Sequence, residues 1–164
     1  QESIKDKKVQ DFITKISSYI DTQQVPEKTT LYRGERFHIL KNVKLSNGEN
    51  FDLASFIKKN SNSGVYDDIL KVKDFIKNNK VVANQPAFMS ASLCRDGEFE
   101  RKGWIFWELE PKAGTKGVYL DGINTSFYTF QQEVLLQKGS NIKIQEANYD
   151  KSKDIWYLKG KVSN

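Results

Sequence analysis

Three short segments carry residue types whose spacing suits chemistry. In Leu31-Tyr32-Arg33-Gly34-Glu35 an arginine ends an apolar stretch and a glycine follows it. Arginine presents a planar fork matched to bidentate phosphate contacts, and glycine lets a ligand come close to the backbone. In Phe88-Met89-Ser90-Ala91-Ser92, strand alternation places Ser90 and Ser92 on one face. In Phe130-Gln131-Gln132-Glu133-Val134-Leu135-Leu136 the same alternation places Gln131 and Glu133 on one face and Gln132 on the other. Each segment alone is more simply read as structure: a strand ending in a turn, a half-exposed strand with two hydroxyls, a polar strand edge. The arginines add weight. There are four, against 22 lysines, and they fall in two short segments, Arg33 with Arg36 and Arg95 with Arg101.

Other chemistries lack their residues. The chain contains no GxxxxGK or GxGxxG phosphate loop and no GxSxG elbow. A histidine-based triad would have to use His38, which sits between Phe37 and Ile39 and reads as a structural or surface residue. Cys94 stands beside Arg95, which can activate a thiol, but an ordinary cysteine is the simpler reading. One cysteine excludes an internal disulfide, and one cysteine with one histidine excludes a Cys/His zinc cluster. Trp104, Trp107 and Trp156 read as core or sheet-face residues.

These segments need a scaffold, and 164 residues suffice for one domain with a sizeable core. Aromatics number 20, so the chain folds rather than staying disordered. No apolar run approaches the ~18 residues of a membrane span, and Gln1 to Gln10 lack the apolar centre of a signal peptide. The net charge of +5 is scattered and reads as a lysine-rich solvated surface. Apolar periodicity predicts helices over Ser3–Ile20, Leu53–Lys59 and Val65–Asn78. Strands are expected over Thr29–Arg33, Gln85–Leu93, Trp104–Glu110, Gly117–Leu120, Gln132–Gln137, Ile142–Glu146 and Asp154–Val162, with Cys94–Gly103 a charged loop. Helices mostly precede strands, which predicts an α+β domain with antiparallel or mixed sheets.

Taken together and in this order, the three segments resemble the signature of the mono-ADP-ribosyltransferase toxins: an aromatic-Arg-Gly strand end, a Ser-x-Ser strand, then Gln/Glu-x-Glu entering a strand. The likeness is densest from Pro111 to Ser140. Lys112-Ala113-Gly114-Thr115-Lys116-Gly117-Val118-Tyr119-Leu120-Asp121, leading into Gln131 to Ser140, resembles the clostridial Rho-modifying exoenzymes. The resemblance implies an α+β fold of two packed, mostly antiparallel sheets with N-terminal helices. It implies a single catalytic domain over residues 1–164, either truncated at its N-terminus, part of a larger toxin, or a minimal version.

The resemblance also implies roles. NAD+ is the co-substrate and no metal is needed. Glu133 opposes the positive charge that develops on the ribose as nicotinamide leaves. Ser90 holds that carboxylate, and Arg33, beside Gly34, grips the diphosphate. The family's Phe-x-x-Arg is here Phe99-Glu100-Arg101 with one spacer, and Arg95 lies earlier, so Phe99 and both arginines are candidate NAD+ contacts. The centre of Ser-x-Ser is Ala91, where threonine is common. Gln131 implies an asparagine or glutamine acceptor, since an amide pairs donor and acceptor with another amide, and Tyr128 matches the aromatic of the target-recognition turn.

The expected activity is therefore NAD+-dependent transfer of ADP-ribose to a host protein, with a Rho-family GTPase favoured, and a side activity of NAD+ glycohydrolysis. A secreted or delivered, monomeric protein acting in host cytosol follows from the same resemblance. The rival readings are a guanine- or DNA-modifying relative, which the sparse arginines disfavour, and an inactive binding domain of the same fold, which the presence of Arg33, Ser90 and Glu133 disfavours.

Overall fold

A computed structural model describes residues 3–120 and 132–164. Its first helix, α1 (Ile4–Ile20), starts at a reciprocal cap in which Ser3 Oγ accepts from Asp6 N and the Asp6 carboxylate accepts from Ser3 N. Helix α2 (Leu53–Asn62) starts at Asp52, whose carboxylate accepts the Ser55 N–H at 3.0 Å. That backbone hydrogen bond, helped by the Ser55 hydroxyl, holds the Asp52 carboxyl below its ordinary value. Helix α3 (Tyr66–Asn79) opens with Asp67 and Asp68 facing its positive end and closes on Lys80 in the left-handed region at φ 46°.

The strands are β1 (Leu31–Glu35), β2 (Val43–Lys44), β3 (Asn50–Phe51), β4 (Val82–Gln85), β5 (Met89–Ser92), β6 (Ile105–Pro111), β7 (Gly117–Tyr119), β8 (Glu133–Leu136), β9 (Ser140–Asp150) and β10 (Ile155–Ser163). They follow the order β3-β2-β4-β9-β10-β6-β1-β5-β8-β7. All pairs among the described residues are antiparallel except β6 with β10, so the sheet is mixed. β10 lies between β9 and β6, inside the sheet.

Ile105, Trp107 and Leu109 of β6 and Trp156, Leu158 and Val162 of β10 alternate toward one face. Against that face pack Leu53, Ala54 and Ile57 of α2 and Val72 and Ile76 of α3. The Trp156 indole N–H donates to Ser61 Oγ at 2.8 Å, so this buried ring is also hydrogen-bonded. Met89, Ala91, Val134 and Leu136 join the same core, so both ends of the sheet share it. No described helix is long and apolar enough to cross a membrane.

The expected α+β class is observed, with several boundaries shifted; α2, for instance, runs to Asn62. The predicted strand Gln85–Leu93 narrows to β5, and Gln85 instead ends β4, because Pro86 has no N–H to continue a ladder. β1 does not stop at Gly34 but runs to Glu35, paired with β6 throughout. β9 extends to eleven residues because its polar half faces solvent while Ile142, Ile144 and Ala147 face the core.

Helix α1 differs from the others. Of its residues only Ile20 is fully buried, while Ile4, Val9, Phe12 and Tyr19 of the predicted apolar stripe are exposed. Its C-terminal end is fastened by Gln137, just beyond β8. The Gln137 amide donates to Ser17 O at 2.9 Å and to Asp21 Oδ1 at 2.7 Å, and accepts from Ser17 Oγ at 3.2 Å. Gln137→Leu keeps the bulk and removes these bonds. The expected loss is about 1–3 kcal/mol in urea unfolding, with earlier proteolytic release of α1; an unchanged midpoint would show that the fastening contributes nothing.

Candidate active site

The site lies where the sheet comes apart. β1 pairs with β6 over five residues but with β5 through a single pair, Tyr32 with Ser92. An unbroken ladder would go on to place Arg33 opposite Ala91 and Gly34 opposite Ser90. Instead the strands diverge, and a cavity of about 170 Å³ opens between them. Tyr32, Arg33 and Gly34 of β1, Ser90 of β5, Glu133 of β8 and Phe99 line it. This volume is below the ~300–1,000 Å³ of whole-ligand pockets, so it suits one ring-sized end of a larger molecule.

Arg33 spans the opening. Its Nη1 donates to the Ser90 carbonyl at 2.7 Å, and its Nη2 to Glu35 Oε2 at 3.2 Å. Its Nε is buried with no acceptor among the described residues. A guanidinium fixed at two corners with an N–H unused is suited to an oxygen-rich anion.

Across the cavity, Ser90 pairs with Leu135 and Ser92 with Glu133, which makes Ser90 and Glu133 diagonal neighbours on one face. The Ser90 hydroxyl donates to Glu133 Oε1 at 2.5 Å. The Glu133 backbone is held by β5 on one side and β7 on the other, with Leu120 N donating to Glu133 O at 2.9 Å. The carboxylate therefore stands on the inner strand of a three-stranded unit, half-buried, with one oxygen already bonded.

The remaining lining comes from the loop after β5. Ser92, the last residue of β5, also lines the cavity, and its buried hydroxyl accepts the Cys94 N–H at 3.1 Å, which closes the strand end. A single 3₁₀ turn, Gly97–Phe99, then folds back onto β1. A Cβ on Gly34 would stand 2.6 Å from Phe99 O and 2.9 Å from Phe99 Cα. Gly34 thus admits the chain's own backbone at the position where a ligand was expected.

The structure brings together Arg33, Gly34, Ser90, Phe99 and Glu133. It does not bring Arg95 or Arg101 to this cavity. Arg95 pairs with Glu100 at 3.1 Å and Glu108 at 3.3 Å, and lies over the Phe106 ring. Burial pushes the Glu100 carboxyl up, but hydrogen bonds from Arg95 and Tyr157, with the charges of Lys153 and Arg95, outweigh it and leave its pKa lowered. Arg101 donates from Nε to Glu98 O and stacks on Trp104. Tyr128 and Gln131 lie outside the described residues.

Two contributors were not singled out from sequence. Glu35 is buried, and its Oε1 accepts the Trp107 indole N–H at 2.7 Å. Its position two residues after Arg33 on a strand was the available signal, since alternation puts both on one side. Trp107 sits opposite Arg33 in the β1–β6 register, which no local pattern encodes.

A sheet opened around an arginine, with a serine-held glutamate across the gap, is the candidate site of this α+β domain. The family model described as ADP-ribosyltransferase exoenzyme matches residues 1–161, and the chain belongs to that family. Its fold is shared with C3stau2 from S. aureus, solved with NAD, at TM-score 0.67 and 20% identity, covering 95% of this chain and 71% of the other. The Clostridium limosum C3 exoenzyme superposes at TM-score 0.63 and 19% identity, covering 93% and 67%. Plx2a, an ADP-ribosyltransferase toxin from Paenibacillus larvae, gives 0.62 and 21%, covering 96% and 69%. No sequence among the curated proteins matches the chain.

Gly34→Ala tests the packing of the turn. The clash is with backbone atoms, which cannot rotate away, so the 97–99 turn must lift. The expected cost is about 1–3 kcal/mol, read as a lowered Tm, together with weaker binding of any ligand that touches Phe99. An unchanged Tm would mean that the turn does not rest on Gly34.

Proposed function

We propose that this cleft catalyses transfer of ADP-ribose from NAD+ to an asparagine or glutamine side chain of a host protein, and that a Rho-type GTPase is the favoured target. The observation that carries the catalytic part is the Ser90–Glu133 hydrogen bond facing Arg33 across one cavity. Membership of the ADP-ribosyltransferase exoenzyme family supports the donor. The acceptor and target rest on Gln131 and on the likeness of Pro111 to Ser140 to Rho-modifying exoenzymes.

In the reaction, the bond between ribose C1′ and the nicotinamide nitrogen breaks, and its electron pair leaves with a neutral pyridine. The acceptor amide nitrogen forms the new bond to C1′ and loses a proton. Positive charge builds on the ribose in between. Glu133, held in place by Ser90, supplies the opposing charge before the bond breaks, so little reorganisation is needed. Arg33 holds the diphosphate, which is charged throughout and is thus a binding contact. Phe99 and Gly34 shape the pocket for the ring that departs. Arg95 and Arg101 are engaged with acidic and aromatic neighbours, so the phosphate contact is assigned to Arg33. Residues 1–164 are read as one catalytic domain, and the protein as one that is secreted and acts after delivery into host cytosol. Water replacing the acceptor gives NAD+ glycohydrolysis as a side activity.

Incubation with labelled NAD+ and host-cell lysate, with DNA as a parallel substrate, tests the proposal. Mass spectrometry should find ADP-ribose on an asparagine or glutamine of a protein. Label on DNA alone, or none anywhere, would overturn it. Glu133→Gln should lower turnover more than about a hundredfold, or roughly 3 kcal/mol of transition-state stabilisation, with NAD+ affinity little changed. Retention of a tenth of the wild-type rate would remove Glu133 from the chemistry.

Gln131→Ala separates acceptor from donor. Transfer to protein should be lost while NAD+ hydrolysis survives, because water needs no amide partner. Equal falls in both rates would place Gln131 in the NAD+ site and refute the amide-acceptor reading.

A further inference from the structure

We infer that Glu35 is a positioning residue for NAD+ binding that acts through Arg33, an inference that rests on the function proposed above. Glu35 is buried, its side chain only 3% exposed, and its two oxygens serve two different donors. Oε2 accepts from Arg33 Nη2 at 3.2 Å, and Oε1 accepts from the Trp107 indole N–H at 2.7 Å. Trp107 is fully buried between β1 and β10 and cannot move without disturbing the core. The carboxylate therefore transmits the fixed position of the indole to the guanidinium.

The arrangement explains why Arg33 faces the cavity in one orientation. A guanidinium on a strand has several rotatable bonds and loses much freedom when held. Here one corner is pinned by Ser90 O and another by Glu35, and Nε has no acceptor among the described residues. The orientation is set before any ligand arrives, which is what preorganised binding requires. Only a carboxylate can do this. It offers two acceptors, whereas glutamine offers one acceptor and one donor, so an amide at position 35 must turn its NH₂ toward either Arg33 or the indole. His38 Nε2 lies 4.0 Å from Glu35 Oε2, but its side chain is 60% exposed, so it does not fix the carboxylate as Trp107 does.

The test is a cycle of four proteins: wild type, Glu35→Gln, Arg33→Ala, and the double variant. NAD+ dissociation constants come from tryptophan fluorescence, and KM and kcat from NAD+ hydrolysis. Glu35→Gln should weaken NAD+ binding and raise KM at least tenfold while kcat changes less than threefold, and it should alter the Trp107 emission. Glu35→Asp, which keeps both acceptors on a shorter arm, should recover part of the affinity and keeps the test informative if the amide variant folds poorly. In the Arg33→Ala background, Glu35→Gln should have no further effect on affinity, since there is no guanidinium to hold. A purely structural role would show the same loss in both backgrounds and would overturn the inference, as would an unchanged dissociation constant in Glu35→Gln. Failure of the wild type to bind NAD+ would overturn the functional reading and this inference together, whereas binding by the wild type and Glu35→Gln alike would overturn this inference alone.

Discussion

A side chain takes over a ladder bond where the sheet divides. Beyond the Tyr32–Ser92 pair, β1 and β5 separate, and the Ser90 carbonyl accepts from Arg33 Nη1 instead of from a backbone amide. An unpaired carbonyl at that depth would cost roughly 1–3 kcal/mol. The guanidinium removes this cost and also keeps the strands apart, because it occupies the space that a closed ladder would use. Opening, cation and carbonyl therefore form one unit. Removing the arginine would leave both a polar gap and two strand edges free to close on each other.

The neighbouring residues follow from that constraint. A half-buried cation gains from a counter-charge, and the buried Glu35 supplies it from the same strand. The carboxylate in turn requires a second donor, which the Trp107 indole provides. On the far side of the gap, Ser90 uses its carbonyl for Arg33 and its hydroxyl for Glu133. One residue thereby sets the distance between the cation and the carboxylate. Gly34 completes the frame by letting the 97–99 turn lie directly on β1.

Part of this was legible in the sequence: the family resemblance singled out Arg33, Ser90 and Glu133, and local periodicity gave the elements that carry them. Ser90 and Glu133 fall at strand positions whose facing is set by alternation, and the helices announce themselves by apolar spacing. What was not legible depends on register between distant strands. Trp107 meets Arg33 because β6 pairs with β1 in one frame out of several, and nothing near residue 107 encodes that frame. The same holds for Arg95, whose partners Glu100 and Glu108 become a cluster only when β6 and the loop before it are assembled. Gly34 was read as room for a ligand because close approach was clear from its type, whereas the identity of the approaching group was not. The exposed stripe of α1 shows the converse: an apolar period states that a face can be buried, not that it is.

The placement of β10 bears on how the molecule acquires its form. This strand, residues 155–163, is inserted between β9 and β6 and makes the parallel pair that joins them. The sheet thus remains divided at that point until the segment is present. A ribosome extruding the chain from its N-terminus releases β6 and β9 before their shared partner exists, so each waits with one open edge. Long-range pairing of this kind slows acquisition of structure and lengthens exposure to aggregation. The same dependence makes unravelling cooperative, since pulling out β10 splits the sheet into two pieces, neither of which retains the complete core.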